Sequence, residues 1–268
     1  MTVALGIVCS DGIVVASDSM GSAERIATSV PKVHIRERFP LAWVHAGSTY
    51  IYEEAEAALD DLEASWPDRV PEHWTQPSIR GIRRDLAEYV GSAVKAGYKQ
   101  VVEIPGHKIS DPATEFLFLG WGEKGPFFLH LHADTTVTDQ LGDKMAAIGF
   151  GGQLAAVARS IMEHYMEDEF SVRDGMMIAY RAISTVVQVS TWGVALPVQM
   201  AVVEPVGARL LTQSEIEQVA LTVDRWKLLE RDSLRELLRG QVQRSADVLP
   251  SLDAEADVQI GRADVDSQ

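Results

Sequence analysis

The chain predicts an α+β fold in which two stacked β-sheets carry helices on their outer faces, a four-layer αββα sandwich. Three observations lead there. Strand-like runs come in blocks separated by pairs of helical segments, an order that suits sheets packed on one another with helices outside. The opening block reads as a hairpin, because Asp11-Gly12 stands between two apolar runs. The 268 residues are 46% hydrophobic and 24% charged, the balance of an ordinary soluble globule.

The elements follow in order. Residues 3–9 and 13–17 are the strands of the first hairpin, and 32–35 with 41–44 form a second pair around a turn at Arg38-Phe39-Pro40. Residues 50–66 are rich in Ala, Glu and Leu and stop at Pro67, which predicts a helix. Ile79, Ile82, Leu86, Tyr89, Val90, Ala93 and Val94 recur at helical spacing and predict a second helix over 79–98. Strands return at 114–120, 126–131 and 146–148. Val157, Ala158, Ile161 and Tyr165 share one face of a helix over 154–166. Ser171 with Asp174 caps another over 171–188. Residues 196–204 are the last central strand. Ser214 and Glu217 have capping-box spacing for a final amphipathic helix ending near Gly240. From 245 onward six acidic residues stand against one basic, with few apolar ones, which predicts a disordered tail. The expected organisation is one domain over 1–240 and an acidic tail over 241–268.

Composition excludes several roles. A net charge of −15 argues against a nucleic-acid partner, which would require basic patches. No basic segment precedes an apolar run at the N-terminus, and apolar stretches break off well short of the ~20 residues that span a bilayer. Neither a signal peptide nor a membrane partner is expected, and a cytoplasmic protein is. Cys9 is the sole cysteine and lies in an apolar run. It excludes an internal disulfide, fits a reducing compartment and reads as a buried, inert thiol. No cluster has zinc-site spacing, so neither metal nor cofactor is expected.

The second residue carries the chemistry. If Met1 is removed, Thr2 joins a hydroxyl nucleophile and a free α-amine in one residue, and the amine can serve as the general base. Its unperturbed pKa near ~8 lets it accept a proton close to neutrality. Taken by itself, Thr2 reads as a β-branched residue that opens a strand.

Other residues place Thr2 in a pattern. Gly6, Asp11-Gly12, Ala16-Ser17-Asp18, Lys32-Val33 and Ala46-Gly47-Ser48 follow in the order and spacing of proteasome β-type subunits, including the bacterial HslV-like peptidases. Ala147-Ile148-Gly149-Phe150-Gly151-Gly152 resembles that family's Gly-Ser-Gly segment. Ser171-Val172-Arg173-Asp174-Gly175 with Arg181-Ala182-Ile183-Ser184 resembles the helix that follows it. The resemblance spans residues 2–203 and implies an N-terminal nucleophile hydrolase fold.

By that resemblance Thr2 is nucleophile and base. Lys32 is the cation that eases deprotonation of its hydroxyl. Asp18 is the carboxylate that keeps Lys32 charged, and the Gly47 N–H is the oxyanion hole. Met20, Gly21, His45 and Thr49 line the pocket for the residue before the scissile bond, and Ser22 pairs its backbone with an extended peptide. Read alone, Asp18 is a turn residue, Lys32 a solvated charge and Gly47 a helix cap. His45 suits a pH-sensitive pocket or a satisfied strand position equally well.

Two positions depart from the family. Phe150 stands where a serine flanks the threonine amine, and it can neither donate nor accept a hydrogen bond. Ser190 stands at the position of an aspartate. Ser190 or Thr191 can still orient the amine, without supplying negative charge.

The implied function is a threonine-type peptidase acting on peptide or protein substrates within a homo-oligomeric ring or helical stack of rings. An ATPase or regulatory partner is left open. Two other readings share the residues: Thr2-dependent amide hydrolysis or acyl transfer on a non-protein substrate, and a noncatalytic ring subunit.

Overall fold

The computed structural model describes residues 2–23, 26–36, 39–65, 79–103, 114–122, 124–140, 142, 144–149, 157, 160–161, 164, 169–190 and 193–248. Its strands are β1 (Val3–Val8), β2 (Ile13–Ser17), β3 (Met20–Ala23), β4 (Ile26–Ser29), β5 (Val33–Arg36), β6 (Leu41–Ala46), β7 (Glu115–Gly122), β8 (Gly125–Leu131), β9 (Val137–Asp139), β10 (Met145–Gly149), β11 (Gln199–Glu204) and β12 (Gly207–Leu210). Its helices are α1 (Thr49–Ala64), α2 (Ile79–Asp85), continued by a π turn at Leu86–Val90 into α3 (Gly91–Glu103), then α4 (Val172–Val189) and α5 (Gln213–Val248).

The fold is mixed α/β, with three antiparallel sheets among the described residues. One has five strands in the order β10-β1-β2-β11-β12, another five in the order β5-β6-β7-β8-β9, and a ribbon pairs β3 with β4. Strand composition explains the packing. Every residue of β2 is buried, as a strand covered on both faces must be. Val14 and Ala16 join Val3, Leu5 and Ile7 of β1 and Ile178, Ala179 and Ile183 of α4 in one apolar cluster. The intervening Ile13 and Val15 join Ala42, Val44, Leu117, Leu119 and Phe128 of the other large sheet in a second. The opposite face of that sheet packs Trp43, Phe116 and Phe118 on Ile51, Leu59, Leu86 and Val94 of the helices in a third. Period-two alternation along β6 and β7 thus sends large aromatics toward the helices and aliphatics toward the other sheet.

Most expected elements lie where the sequence places them. Ser171 and Asp174 form a full capping box, the Asp174 N–H donating to the Ser171 hydroxyl and the Ser171 N–H to the Asp174 carboxylate. Cys9 is buried, and burial first, then the charges of Asp11 and Asp174, push its thiol up to about 12.

Other elements differ. The β3–β4 ribbon and the short strands β9 and β12 were not expected. The box that opens α5 uses Thr212 and Glu215 rather than Ser214 and Glu217. The Glu215 N–H donates to Thr212 Oγ1, and the Thr212 N–H donates to the Glu215 carboxylate. α5 also passes Gly240 and continues to Val248, because a lone glycine costs a helix only about 1 kcal/mol. Of the helix expected over 154–166, Val157, Ser160, Ile161 and His164 are helical. The rest of that helix and the tail from 249 onward lie outside the described residues.

Contacts divide the chain into two compact units, 1–223 and 224–268. In the second, α5 exposes Leu228, Leu229, Leu234, Leu237 and Leu238, and Arg235 pairs with Asp232 one turn earlier at 3.6 Å. Among the described residues no helix is long and apolar enough to cross a membrane.

Candidate active site

The tight hairpin between β1 and β2 builds the site. The Cys9 N–H donates to the Gly12 carbonyl at 2.8 Å, and the register sets Ala4 opposite Ser17. Asp18 therefore leaves β2 beside the start of β1. Its carboxylate is fully buried and serves four donors. Oδ1 accepts the Val3 N–H at 3.0 Å and Lys32 Nζ at 2.9 Å. Oδ2 accepts the Met20 N–H at 3.0 Å and the Ala195 N–H at 3.4 Å. One oxygen thus ties the amide that follows Thr2 to the Lys32 ammonium. A buried carboxylate is stable only with such a shell of donors.

Lys32 precedes β5 and is 3% exposed. Burial lowers its pKa, and the charge of Asp18 works against that shift. Its backbone is fixed from the other sheet. The Gln199 side-chain oxygen accepts the Lys32 N–H at 2.7 Å, and its amide donates to the Val30 carbonyl at 2.6 Å. Gln199 was not foreseen; its one sequence signal is a polar residue at the mouth of an apolar strand.

Thr2 is 7% exposed, more enclosed than an open cleft residue. The end of β10 lies beside it, where Val3 pairs with Gly149. Gly149 has φ +71°, and a Cβ there would lie 2.3 Å from the Thr2 carbonyl oxygen and 3.1 Å from the Ala46 Cβ. Gly47 has φ +119°, and a Cβ there would lie 2.6 Å from both Cα and Oγ1 of Thr114. Only glycine holds both the left-handed backbone and these approaches. The next N–H, that of Ser48, donates to Thr114 Oγ1 at 3.1 Å, and the Thr114 N–H donates to the Tyr98 hydroxyl.

Of the other expected residues, Met20 joins the site through the Asp18 carboxylate. Met20, Gly21 and Ser22 lie on β3, where Ser22 pairs with Ala27 of β4. Thr49 is exposed at the first turn of α1, two residues from Gly47. His45 shares β6 with Ala46 but points to the helix side. It is 8% exposed, its ring stacks on Tyr52 at 4.0 Å, and its Nδ1 is buried without a partner. Burial first, then the charges of His34 and Lys32, lower its pKa to about 3. Ser190 closes α4, donating its N–H to the Val186 carbonyl at 2.8 Å. Met1, Phe150 and Thr191 lie outside the described residues.

No protein-family model matches the chain, and no curated protein does. Among the solved structures that match is a mutant of Anbu from Hyphomicrobium sp. strain MC1. It aligns with a TM-score of 0.65 and 13% identity, covering 88% of this chain and 99% of that one. An identity so low shows the fold alone. The expectation that the chain belongs to the proteasome β-subunit and HslV-like family is corrected by these findings: no family model supports membership, and the likeness to Anbu is one of fold.

Proposed function

We propose that the chain is a threonine-type hydrolase of amide bonds, a peptidase, in which Thr2 is the nucleophile once Met1 has been removed. The observation that carries the reading is Asp18 Oδ1, which binds Lys32 Nζ and the amide adjoining Thr2 together. A scaffold has no use for a buried ion pair at its first strand, whereas a hydroxyl that must lose its proton does.

In this reading Thr2 Oγ attacks the substrate carbonyl carbon while the Thr2 α-amine takes the hydroxyl proton. The Gly47 N–H receives the oxyanion, and Lys32 favours the negative charge that develops on Oγ. The carbon–nitrogen bond then breaks, the leaving amine takes the proton from the α-amine, and an ester to Thr2 remains. Water, deprotonated by the same amine, attacks that ester and releases the acid and the Thr2 hydroxyl.

The β3–β4 ribbon favours a peptide over a small amide. β4 occupies one edge of β3, and the other edge pairs with no strand among the described residues. An extended chain can add there through the Ser22 backbone. The three apolar clusters support the finer architecture, a four-layer αββα sandwich. A homo-oligomer, ring or helical, is part of the proposal.

The test is turnover of a peptide amide by the wild type and by Thr2→Ala and Lys32→Ala. Loss in both variants supports the reading. Wild-type turnover by Thr2→Ala overturns it.

A further inference from the structure

Gly47 and Ser48 form the turn from β6 into α1, and the turn is fixed on both sides. Before it, Ala46 pairs in register with Glu115 of β7. After it, the Ser48 N–H donates to Thr114 Oγ1 at 3.1 Å. Ser48 caps α1 without any side-chain bond, and its carbonyl accepts the Tyr52 N–H at 3.0 Å. The planar peptides before and after Gly47 are thus both held, and the direction of the Gly47 N–H is set between them.

Thr114 is fully buried and is held in turn. Its N–H donates to the Tyr98 hydroxyl. Tyr98 lies on α3, which sits close against α1. A Cβ on Gly97 would lie 3.3 Å from Ile51 Cγ1, and the Tyr50 hydroxyl donates to the Gln100 side chain. The connections close a circuit. They run from the Gly47–Ser48 turn along α1, across to α3, through the Tyr98 hydroxyl to Thr114, and back to the Ser48 N–H.

We propose that Tyr98 and Thr114 are positioning residues: the Tyr98 hydroxyl on α3 sets Thr114, and the Thr114 hydroxyl sets the turn that aims the Gly47 N–H at a developing oxyanion. The inference rests on the Thr2 reading and deepens it. Glycine at 47 gives the reason for the device, because a residue without a side chain leaves its φ +119° conformation easily. An oxyanion donor acts only when it is held in place before the charge develops. A misplacement of about 1 Å costs on the order of 10²-fold in rate.

The test compares Thr114→Val, Thr114→Ser and Tyr98→Phe in peptide-amide kinetics and in amide hydrogen exchange at Ser48 and Thr114, with Thr2→Ala as control. Thr114→Val keeps the volume and removes the acceptor. It should lower kcat about 10²-fold with little change in KM, and should speed exchange at Ser48. Thr114→Ser keeps the hydroxyl and should recover most of kcat and the slow Ser48 exchange. Tyr98→Phe should speed exchange at Thr114 and lower kcat in the same direction. Wild-type kcat in Thr114→Val, or equal losses in Thr114→Val and Thr114→Ser, overturns the role of Thr114. Wild-type kcat or unchanged Thr114 exchange in Tyr98→Phe overturns that of Tyr98. Wild-type turnover in Thr2→Ala overturns the peptidase reading instead, and Ser48 exchange in Thr114→Val then decides by itself whether Thr114 holds the turn.

Discussion

Replacing His45 with phenylalanine should remove a large part of this protein's acid sensitivity. His45 is held neutral. Its ring stacks on Tyr52 at 4.0 Å and tilts toward Phe116 at 6.2 Å, and its Nδ1 meets no acceptor that could stabilise a proton. The charged groups around it oppose protonation. Burial first, then His34 and Lys32, lower its pKa from 6.5 to about 3. On the α1 side, Tyr52 bonds to Glu56, and Arg36 lies over Trp43 at 4.6 Å.

The unfolded chain accepts the His45 proton near the ordinary histidine value and the folded chain only near 3. Between those limits the unfolded state binds more protons, so stability is fully present above about pH 6.5 and falls as the pH drops. At about pH 4.5 the loss from His45 alone is about 2.7 kcal/mol, from ~1.4 kcal/mol per unit. Phenylalanine keeps the stacked ring, and a swap of similar volume costs under ~1.5 kcal/mol. Urea unfolding of wild type and His45→Phe at about pH 7.5 and about pH 4.5 gives the double difference. Wild type should lose about 2.7 kcal/mol more than the variant. His34, whose pKa burial also lowers, leaves the variant a residual slope. Equal losses in both proteins would show that His45 takes a proton in the folded state, and the buried placement would be refuted.

Other outcomes follow from the same geometry. Thr2→Ala should abolish turnover yet change unfolding free energy by no more than about 1 kcal/mol, since one hydroxyl and one methyl are lost; urea unfolding checks the second part. Asp18→Ala should cost about 3–5 kcal/mol, because it leaves the Lys32 ammonium buried without its carboxylate, and thermal unfolding reads that loss. Gly149→Ala should be inactive and destabilised by at least about 1–2 kcal/mol, the left-handed cost for a side-chain-bearing residue, because its Cβ would lie 2.3 Å from the Thr2 carbonyl. A Gly149→Ala protein with normal kcat would show that β10 does not bear on Thr2.

Legibility differed between elements for physical reasons. β1, β2, β6 and β7 are buried on both faces, so their unbroken apolar runs announce them. Met20-Gly21-Ser22-Ala23 alternates weakly, so it reads as loop. α5 outran Gly240 because an exposed helix follows propensity rather than burial. At the site, Thr2, Asp18 and Lys32 were legible through their order and spacing, and the structure joins Asp18 to Lys32 and to the amide after Thr2. Gln199 and Thr114 were not. Each acts on backbone groups far away in sequence, and no spacing rule connects residue 199 to 32 or 114 to 48. His45 was read as level between pocket and core. The strand periodicity that turns it away from Ala46 depends on which face of β6 meets α1, and that is settled only by the packed sheet.

The central claim is that Thr2 is a nucleophile in a site charged by Lys32. The most direct measurement is intact mass after incubation with an electrophile that captures N-terminal threonine, made on wild type and on Lys32→Ala. Wild type should lack Met1 and gain one adduct at Thr2, and Lys32→Ala should gain it far more slowly. An active preparation with Met1 fully retained, or one that takes no adduct at Thr2, would contradict the account.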